Sequence, residues 1–162
     1  MNITKFTNDL KFGKEGEMKI VHHLVKKGLK FKGTSDDVEK DNKDEFKYYD
    51  LLFINSQGRY VKIEVKTDNW VTSQKDSGNL VIEKSCNGKP SGISTSKSDY
   101  WVYYFANLDQ DNLWMIRKAD LKTLVELNSF HLASGGDNNR TFNWLIPRYE
   151  FKHYFRVETI TE

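Results

Sequence analysis

The sequence predicts a single α/β or α+β domain in which a mixed sheet of about five or more strands is flanked by helices. Three stretches predict this class: an amphipathic helix over residues 8–28, an alternating β-hairpin over residues 46–67 and a near-continuous apolar strand over residues 100–107. A chain of 162 residues, 38% of them hydrophobic, is long enough for one domain with a sizeable core.

The first helix can be capped by Asn8 or Asp9 and can end at Gly28. Its apolar residues recur on one face, and Glu17 lies on that face. A carboxylate on an apolar face is costly unless it has a partner, so Glu17 is a candidate functional residue. The alternative is a side chain at the edge of the apolar face that reaches water. The adjacent pair His22-His23 points in two directions, about 100° apart, and we expect a structural or solvent-facing role.

The hairpin consists of strands over residues 46–54 and 59–67, joined by a turn. If the loop has three residues and Gly58 takes the left-handed position, Asn55 pairs with Arg59 and Asp50 pairs with Glu64. Lys66 then shares a face with Glu64, because alternate residues of a strand point to the same side. A loop of two residues would move Asp50 to the opposite face, so the register decides whether these side chains meet.

The other elements follow from shorter patterns. Residues 29–32 suggest a short extended piece, residues 80–83 and 113–117 suggest strands, and residues 118–127 suggest a helix. Closing strands are expected over residues 141–146 and 148–157. The intervening polar stretches are expected to be loops, at residues 34–45, 69–79 and 128–141.

Two carboxylates held side by side repel each other unless a cation or a proton lies between them. Hard oxygen ligands suit Mg²⁺ or Mn²⁺. A lysine next to them could orient water or offset charge on a phosphate. The pattern acid-x-Lys is nevertheless frequent in this chain, and the alternative is a Glu and a Lys on a solvated sheet face. Only the copy at Glu64 lies on an alternating strand that follows a strand with an Asp near its start; Glu83 is a second acidic candidate without a lysine at the right spacing.

Asp50 followed by Glu64-Val65-Lys66 resembles the PD-(D/E)-x-K nuclease superfamily, which includes restriction enzymes, Holliday junction resolvases and phage nucleases. Tyr49 replaces the usual proline. The resemblance implies a restriction-endonuclease-like αβββαβ core over about residues 9–107, with residues 108–162 as a C-terminal extension. It also implies Mg²⁺-dependent cleavage of DNA, with Mn²⁺ as a substitute. Asp50 and Glu64 would ligate the metal with the Val65 carbonyl and Glu17, and Lys66 would position the attacking water.

Residues 84–97 combine lysines with glycine, serine and proline, a composition that suits phosphate contacts. The stretch Ser91-Gly92-Ile93 through Asp99-Tyr100-Trp101 resembles phage and bacterial members of the superfamily, which implies a short helix near residues 94–99 that begins at the substrate. A flexible surface loop is the alternative. The DNA-binding candidates are Lys84, Lys89, Ser94, Thr95 and Lys97.

The overall composition neither supports nor excludes a DNA-cleaving enzyme. The net charge of +2 does not by itself indicate nucleic acid, but a local basic face can bind DNA while carboxylates elsewhere cancel the total. One cysteine, no signal-peptide pattern and no long apolar run favour a reducing cytoplasm, that of a bacterium or of a virus's host. Cutting both strands would require a homodimer. The other function classes considered are a non-catalytic nucleic-acid-binding protein with the same fold and a protein interaction module.

Overall fold

The computed structural model describes residues 3–34, 48–68, 76–135 and 139–160, with side chains of the first helix from Lys11 onward. The described part contains two α-helices and ten strands. The helices are α1 (Ile3–Lys26) and α2 (Lys118–Leu127). The strands are β1 (Lys30–Thr34), β2 (Leu51–Ile54), β3 (Tyr60–Asp68), β4 (Asn79–Cys86), β5 (Lys89–Pro90), β6 (Tyr100–Phe105), β7 (Leu113–Arg117), β8 (His131–Gly135), β9 (Thr141–Pro147) and β10 (Arg156–Glu158).

Six strands form the first sheet, in the order β1-β2-β3-β6-β7-β10. The β2–β3 hairpin is antiparallel, whereas β3 and β6 run parallel and the other pairs are antiparallel. The mixed α and β class and a mixed sheet of this size are therefore confirmed. The predicted extended piece after the first helix is β1, an edge strand of this sheet.

A second sheet, which the sequence did not predict, contains four strands in the order β5-β4-β9-β8. The predicted third strand, β4, belongs to it and pairs with β9 rather than with the hairpin. This sheet contributes Leu80, Ile82 and Ile146 to a core that also holds Trp101 and Tyr103 of β6. The second sheet therefore packs on one face of the first sheet.

Strand β6 lies between two hydrophobic cores, as its continuous apolar sequence predicted. Trp101, Tyr103 and Phe105 point into the core shared with the second sheet and α2. Val102 and Tyr104 point to the opposite side, into a core shared with α1 and β2. All five side chains are buried, so the aromatic residues of this strand are core residues.

Helix α1 packs on the face of the first sheet opposite the second sheet. A Cβ atom at Gly16 would lie 2.3 Å from Oγ1 of Thr67 on β3, so this glycine permits a close approach of helix and strand. Farther along the helix, the buried His23 contacts Glu158 of β10 through Nε2, at 2.6 Å. His22 is exposed, and the expected structural and solvent-facing roles of this pair are confirmed.

Three local predictions were wrong. Residues 94–99 do not form a helix; a 3₁₀ turn over Gly92–Ser94 is present instead, so the helix expected between the third and fourth strands of an αβββαβ core is absent there. The predicted loop over residues 128–141 contains β8. Most of the predicted closing strand over residues 148–157 is turn and 3₁₀ structure, and only its end is β10.

The acidic segment, residues 35–45 of the predicted loop at 34–45, lies outside the described residues, as do residues 69–75 of the predicted connection. No helix in the described ranges is long and apolar enough to cross a membrane.

Candidate metal-binding site beside the central hairpin

The loop of the β2–β3 hairpin has the three residues that the site requires. Leu52 pairs with Lys62 and Ile54 pairs with Tyr60, as predicted, and the Asn55 amide donates a hydrogen bond to the Arg59 carbonyl at 3.0 Å. Gly58 has a φ of +76°, a left-handed conformation that glycine adopts without strain. This odd loop sets the register that places Asp50 beside β3 rather than away from it.

Glu64 and Lys66 face the second sheet. Parallel pairing places Glu64 next to Trp101 and Lys66 next to Tyr103, and both aromatic residues point into the core under that sheet. The Lys66 ammonium lies 2.7 Å from Oε1 of Glu64 and 5.4 Å from the centre of the Trp101 ring. The Lys66 side chain is 41% exposed and that of Glu64 is 14% exposed, so solvent reaches the pair from one side.

Asp50 lies immediately before β2, where the strand ladder ends. Its Oδ2 accepts a hydrogen bond from the Val65 backbone amide at 2.7 Å, in the place where a longer β2 would supply a carbonyl. Burial and the neighbouring Glu64 carboxylate raise the Asp50 pKa from 3.8 to about 6, against the opposing effects of the Val65 amide and Lys66. Two carboxylates are therefore held close together in a partly desolvated place.

Lys66 remains a cation at neutral pH. Burial disfavours its charged form, but the carboxylates of Glu64, Asp50 and Glu83 outweigh that effect and hold its pKa above the ordinary value of 10.5. A permanently protonated lysine cannot accept a proton as a general base. It can donate hydrogen bonds and balance negative charge.

Glu83 reaches this cluster from β4 in the second sheet. Its charge acts on Lys66, and both residues line a cleft of about 360 Å³ between the two sheets. The backbone of Gly92 packs against Glu83: a Cβ atom at Gly92, whose φ is +52°, would lie 2.4 Å from the Glu83 carbonyl oxygen. The sequence offered Glu83 only as a second candidate, because its position depends on a sheet that the strand pattern does not reveal.

Tyr103 is a neighbour that sequence reasoning treated only as a core residue. Burial and the Glu64 charge raise the pKa of its phenol well above 10.0. Its hydroxyl lies 3.5 Å from the Val81 carbonyl of β4. The parallel pairing of β6 with β3 brings it here, and the sequence of β6 alone carries no signal for that pairing.

Glu17 is half-buried on α1, next to the close contact between Gly16 and Thr67. Thr67 and Val65 point to the α1 side of β3, whereas Glu64 and Lys66 point to the other side. The convergence of Glu17 with the other carboxylates remains a prediction, and so does a ligand role for the Val65 carbonyl.

The five DNA-binding candidates are exposed: Lys84, Lys89, Ser94, Thr95 and Lys97. Lys97 contacts the segment just before Asp50, because its amide donates to the Tyr48 carbonyl at 3.0 Å and its ammonium lies 4.3 Å from the Tyr48 ring centre. Lys84 lies over Trp144, and Lys89 is on the edge strand β5 of the second sheet. The segment from Ser91 to Asp99 thus links the Asp50 side of the cluster with the Glu83 side.

The described residues contain no group of three or more His, Cys, Asp or Glu side chains arranged to hold a metal ion. A pair of carboxylates still fits Mg²⁺, which keeps several water ligands and is commonly bound through one or two carboxylates. The Val65 amide donates to Oδ2 of Asp50, and the Lys66 ammonium donates to Oε1 of Glu64. The pair would therefore ligate a cation through Oδ1 of Asp50 and Oε2 of Glu64.

In comparisons with known proteins, no protein-family model, curated protein or solved structure matched this chain. The chemistry of the site therefore follows from its own residues and from the resemblance of Asp50 and Glu64-Val65-Lys66 to the nuclease pattern.

Proposed function

We propose that the protein is a Mg²⁺-dependent DNA endonuclease of the PD-(D/E)-x-K type, either structure-selective, like Holliday junction resolvases, or site-specific. The observation that carries the proposal is the cluster of Asp50, Glu64 and Lys66. Asp50 is held against β3 by the Val65 amide at 2.7 Å, Glu64 contacts the Lys66 ammonium at 2.7 Å, and burial together with Glu64 raises the Asp50 pKa. An isolated surface Glu-Lys pair would not be packed beside a second, half-buried carboxylate.

The raised Asp50 pKa supports a cation at this position. Burial and the proximity of Glu64 disfavour ionisation of Asp50, and a divalent cation between the two carboxylates would favour it. Asp50 and Glu64 would hold the metal, with the Val65 carbonyl and Glu17 as the further ligands that the resemblance implies. Mg²⁺, when bound, supplies a Lewis acid for a phosphoryl oxygen and lowers the pKa of a bound water.

Lys66 would orient the attacking water and stabilise negative charge on the phosphate, since its ammonium is a donor at neutral pH. Water attacks phosphorus and loses a proton to solvent, the bond to the leaving oxygen breaks, and that oxygen takes up a proton from solvent. No covalent enzyme intermediate is needed. Lys97 and the exposed hydroxyls of Ser94 and Thr95 would contact the DNA backbone, because their segment borders the cluster.

The arrangement of β1, β2, β3 and β6 supports the restriction-endonuclease-like core as the finer description of the fold. An antiparallel hairpin carries the acidic residues, and a parallel strand lies next to its second strand. A short 3₁₀ turn takes the place of the helix before β6. A homodimer with two such sites would cut both strands of a duplex, and we propose this assembly for the cytoplasmic enzyme.

The test is cleavage of supercoiled plasmid and of a four-way junction in Mg²⁺, Mn²⁺ or EDTA. We expect metal-dependent cutting by the wild type and a loss of at least about 100-fold in Asp50→Asn, Glu64→Gln and Lys66→Met. The matched controls are Glu126→Gln and Lys122→Met, which alter an exposed Lys-Glu pair of α2 separated by 3.8 Å. Cutting that survives in the three site variants would place the active site elsewhere.

The second candidate function is a nucleic-acid-binding protein that does not cut. It is favoured by the finding that the described residues contain no group of three or more metal-ligating side chains. Under this alternative, the wild type binds DNA without cutting either substrate in any metal, and the three site variants bind as well as the wild type.

A further inference from the structure

A groove of about 510 Å³ lies at the tip of the β2–β3 hairpin, away from the carboxylates. One wall is the hairpin tip, the second is the segment before β6, and the third is the junction of β7 with the first turn of α2. The groove is lined by residues of these three elements, chiefly Arg59, Tyr60, Lys97, Asp99, Arg117 and Lys118.

The groove concentrates positive charge. Four basic side chains and one aspartate line it, a local excess of three positive charges, whereas the entire chain has a net charge of +2. The aspartate is already engaged, because Asp99 Oδ2 accepts the Lys62 backbone amide at 2.8 Å. Lys118 donates to the Ser96 carbonyl at 2.7 Å. Arg59 and Arg117 are exposed, and no ion pair among the described residues includes either of them.

Tyr60 supplies an aromatic surface among these cations. It is 62% exposed, the most exposed tyrosine of the described residues, although it lies on a strand next to a hydrophobic core. Tyr60 shares a face of β3 with Lys62 and Glu64, since the three positions alternate along the strand. Tyr60 lies four positions before Glu64 along the strand, a distance of about 13 Å.

We propose that this groove binds an unpaired stretch of nucleic acid, with Arg59 and Arg117 on its phosphates and Tyr60 stacked on a base. Cations around an exposed aromatic ring are the combination that binds single strands without sequence preference. The proposal rests on the proposed nuclease function and specifies its substrate as DNA with a single-stranded segment near the cleaved bond. The distance from that bond to the segment would be about four nucleotides if they are stacked, or fewer if the strand is extended.

The experiment measures binding of a fluorescent 12-nucleotide oligo(dT) and of a duplex of equal length in EDTA, by anisotropy, over a range of salt concentrations. We expect tighter binding of the single strand. The double variant Arg59→Ser/Arg117→Ser should weaken it about tenfold and reduce the slope of log K against log salt by about 1.4. Tyr60→Ser should weaken binding about fivefold or more, whereas Tyr60→Phe should bind like the wild type.

Lys122→Ser, which removes a cation from the exposed side of α2, is the control for charge alone and should bind like the wild type. Equal binding by Lys122→Ser and the double arginine variant would overturn the proposal. So would tighter binding of duplex with no effect of Tyr60→Ser, or displacement of oligo(dT) by an equal charge of poly-glutamate, which would indicate an acidic peptide as the partner.

The proposal for the groove and the proposal of nuclease activity can be rejected independently of each other. Loss of binding in the groove variants, with no metal-dependent cutting by the wild type, would keep the groove and reject the nuclease. Metal-dependent cutting abolished by Asp50→Asn, with normal binding by the groove variants, would keep the nuclease and reject the groove.

Discussion

Asp50 and Val65 are joined by a hydrogen bond of 2.7 Å from the Val65 amide to the Asp50 carboxylate. This bond ties the residue before β2 to the residue that separates Glu64 from Lys66. Asp50 therefore has a structural contact and, in the proposed function, a metal-binding role at the same time. The two roles can be separated because they respond differently to pH and to metal.

Asp50→Asn should stabilise the metal-free protein at pH 8. The folded-state pKa of about 6 lies above the ordinary 3.8, so the folded chain holds this proton more tightly than the unfolded chain does. Protonated Asp50 contributes most to the free energy of unfolding below about pH 4. That contribution, up to about 3 kcal/mol, is lost as the pH rises through about 6. Urea unfolding in EDTA should show that the free energy of unfolding of Asp50→Asn exceeds that of the wild type by about 1–3 kcal/mol at pH 8. At pH 4.5 the difference should be about a third of that.

The control for this prediction is Asp109→Asn, which alters an exposed aspartate and should change stability by less than about 0.5 kcal/mol at either pH. A loss of stability in Asp50→Asn at pH 8 would contradict the prediction. It would show that the hydrogen bond from the Val65 amide to the ionised carboxylate stabilises the fold by more than the desolvation of that carboxylate costs.

Mg²⁺ should raise the melting temperature of the wild type. A millimolar site at 10 mM Mg²⁺ adds about 1.4 kcal/mol, which corresponds to about 3–6 °C for a chain of this size. Scanning fluorimetry at constant ionic strength should show this shift in the wild type and in Glu126→Gln, but not in Asp50→Asn or Glu64→Gln. An equal shift in all four proteins would mean that Mg²⁺ binds elsewhere.

Gly16→Ala should destabilise the protein by about 1–3 kcal/mol, because the new methyl group would lie 2.3 Å from Oγ1 and 2.7 Å from Cγ2 of Thr67. Gly13→Ala is the matched substitution on the same helix. A Cβ atom at Gly13 has no neighbour within 4 Å, so this variant should gain up to about 1 kcal/mol from helix propensity.

Thermal and urea unfolding of both variants measure the difference. Adding Thr67→Ala to Gly16→Ala should recover part of the loss, since it removes the two nearest atoms. Equal stability of the two glycine variants would show that α1 and β3 do not approach as closely as described.

Glu158→Gln should destabilise the protein by about 1–2 kcal/mol at pH 7. Burial raises the Glu158 pKa, but hydrogen bonds from His23, Arg156 and Lys27 outweigh it and lower the pKa below 4.5. A carboxylate with a depressed pKa stabilises the fold above its unfolded pKa and loses that effect as the pH falls through the folded value. The difference between wild type and Glu158→Gln should therefore shrink as the pH falls below 4.5.

Urea unfolding between pH 3.5 and 8 tests this prediction, with the exposed Glu126→Gln as the control. A difference that stays constant over the entire range would assign the effect of Glu158 to packing rather than to charge.

The local elements of the candidate site could be predicted from the sequence. The register followed from Gly58, because a left-handed residue in a three-residue loop fixes the pairing of both strands. The alternation of β3 then placed Glu64 and Lys66 on one face. The burial of β6 followed from its continuous apolar sequence.

What the sequence did not reveal depends on distant pairing or on competing hydrogen bonds. Glu83 joins the cluster only because β4 pairs with β9, about 60 residues later in the chain. The expected helix at residues 94–99 does not form, because backbone amides that would make helical bonds donate elsewhere. Lys97 donates to the Tyr48 carbonyl, Ser98 to the Ser96 hydroxyl and Asp99 to the Lys62 carbonyl. The small and polar residues of β8 did not predict a strand, and its extended conformation is stabilised by antiparallel pairing with β9.

Strand β6 contributes alternate side chains to both cores, so neither core can form while this strand is detached. The two sheets should therefore unfold cooperatively, in one transition. Backbone amides of β6 should exchange with solvent only through that global opening, at the same free energy on the Trp101 side and on the Val102 side. The hairpin that carries Asp50 and Glu64 pairs with this strand through β3, and its geometry persists for as long as both sheets are folded.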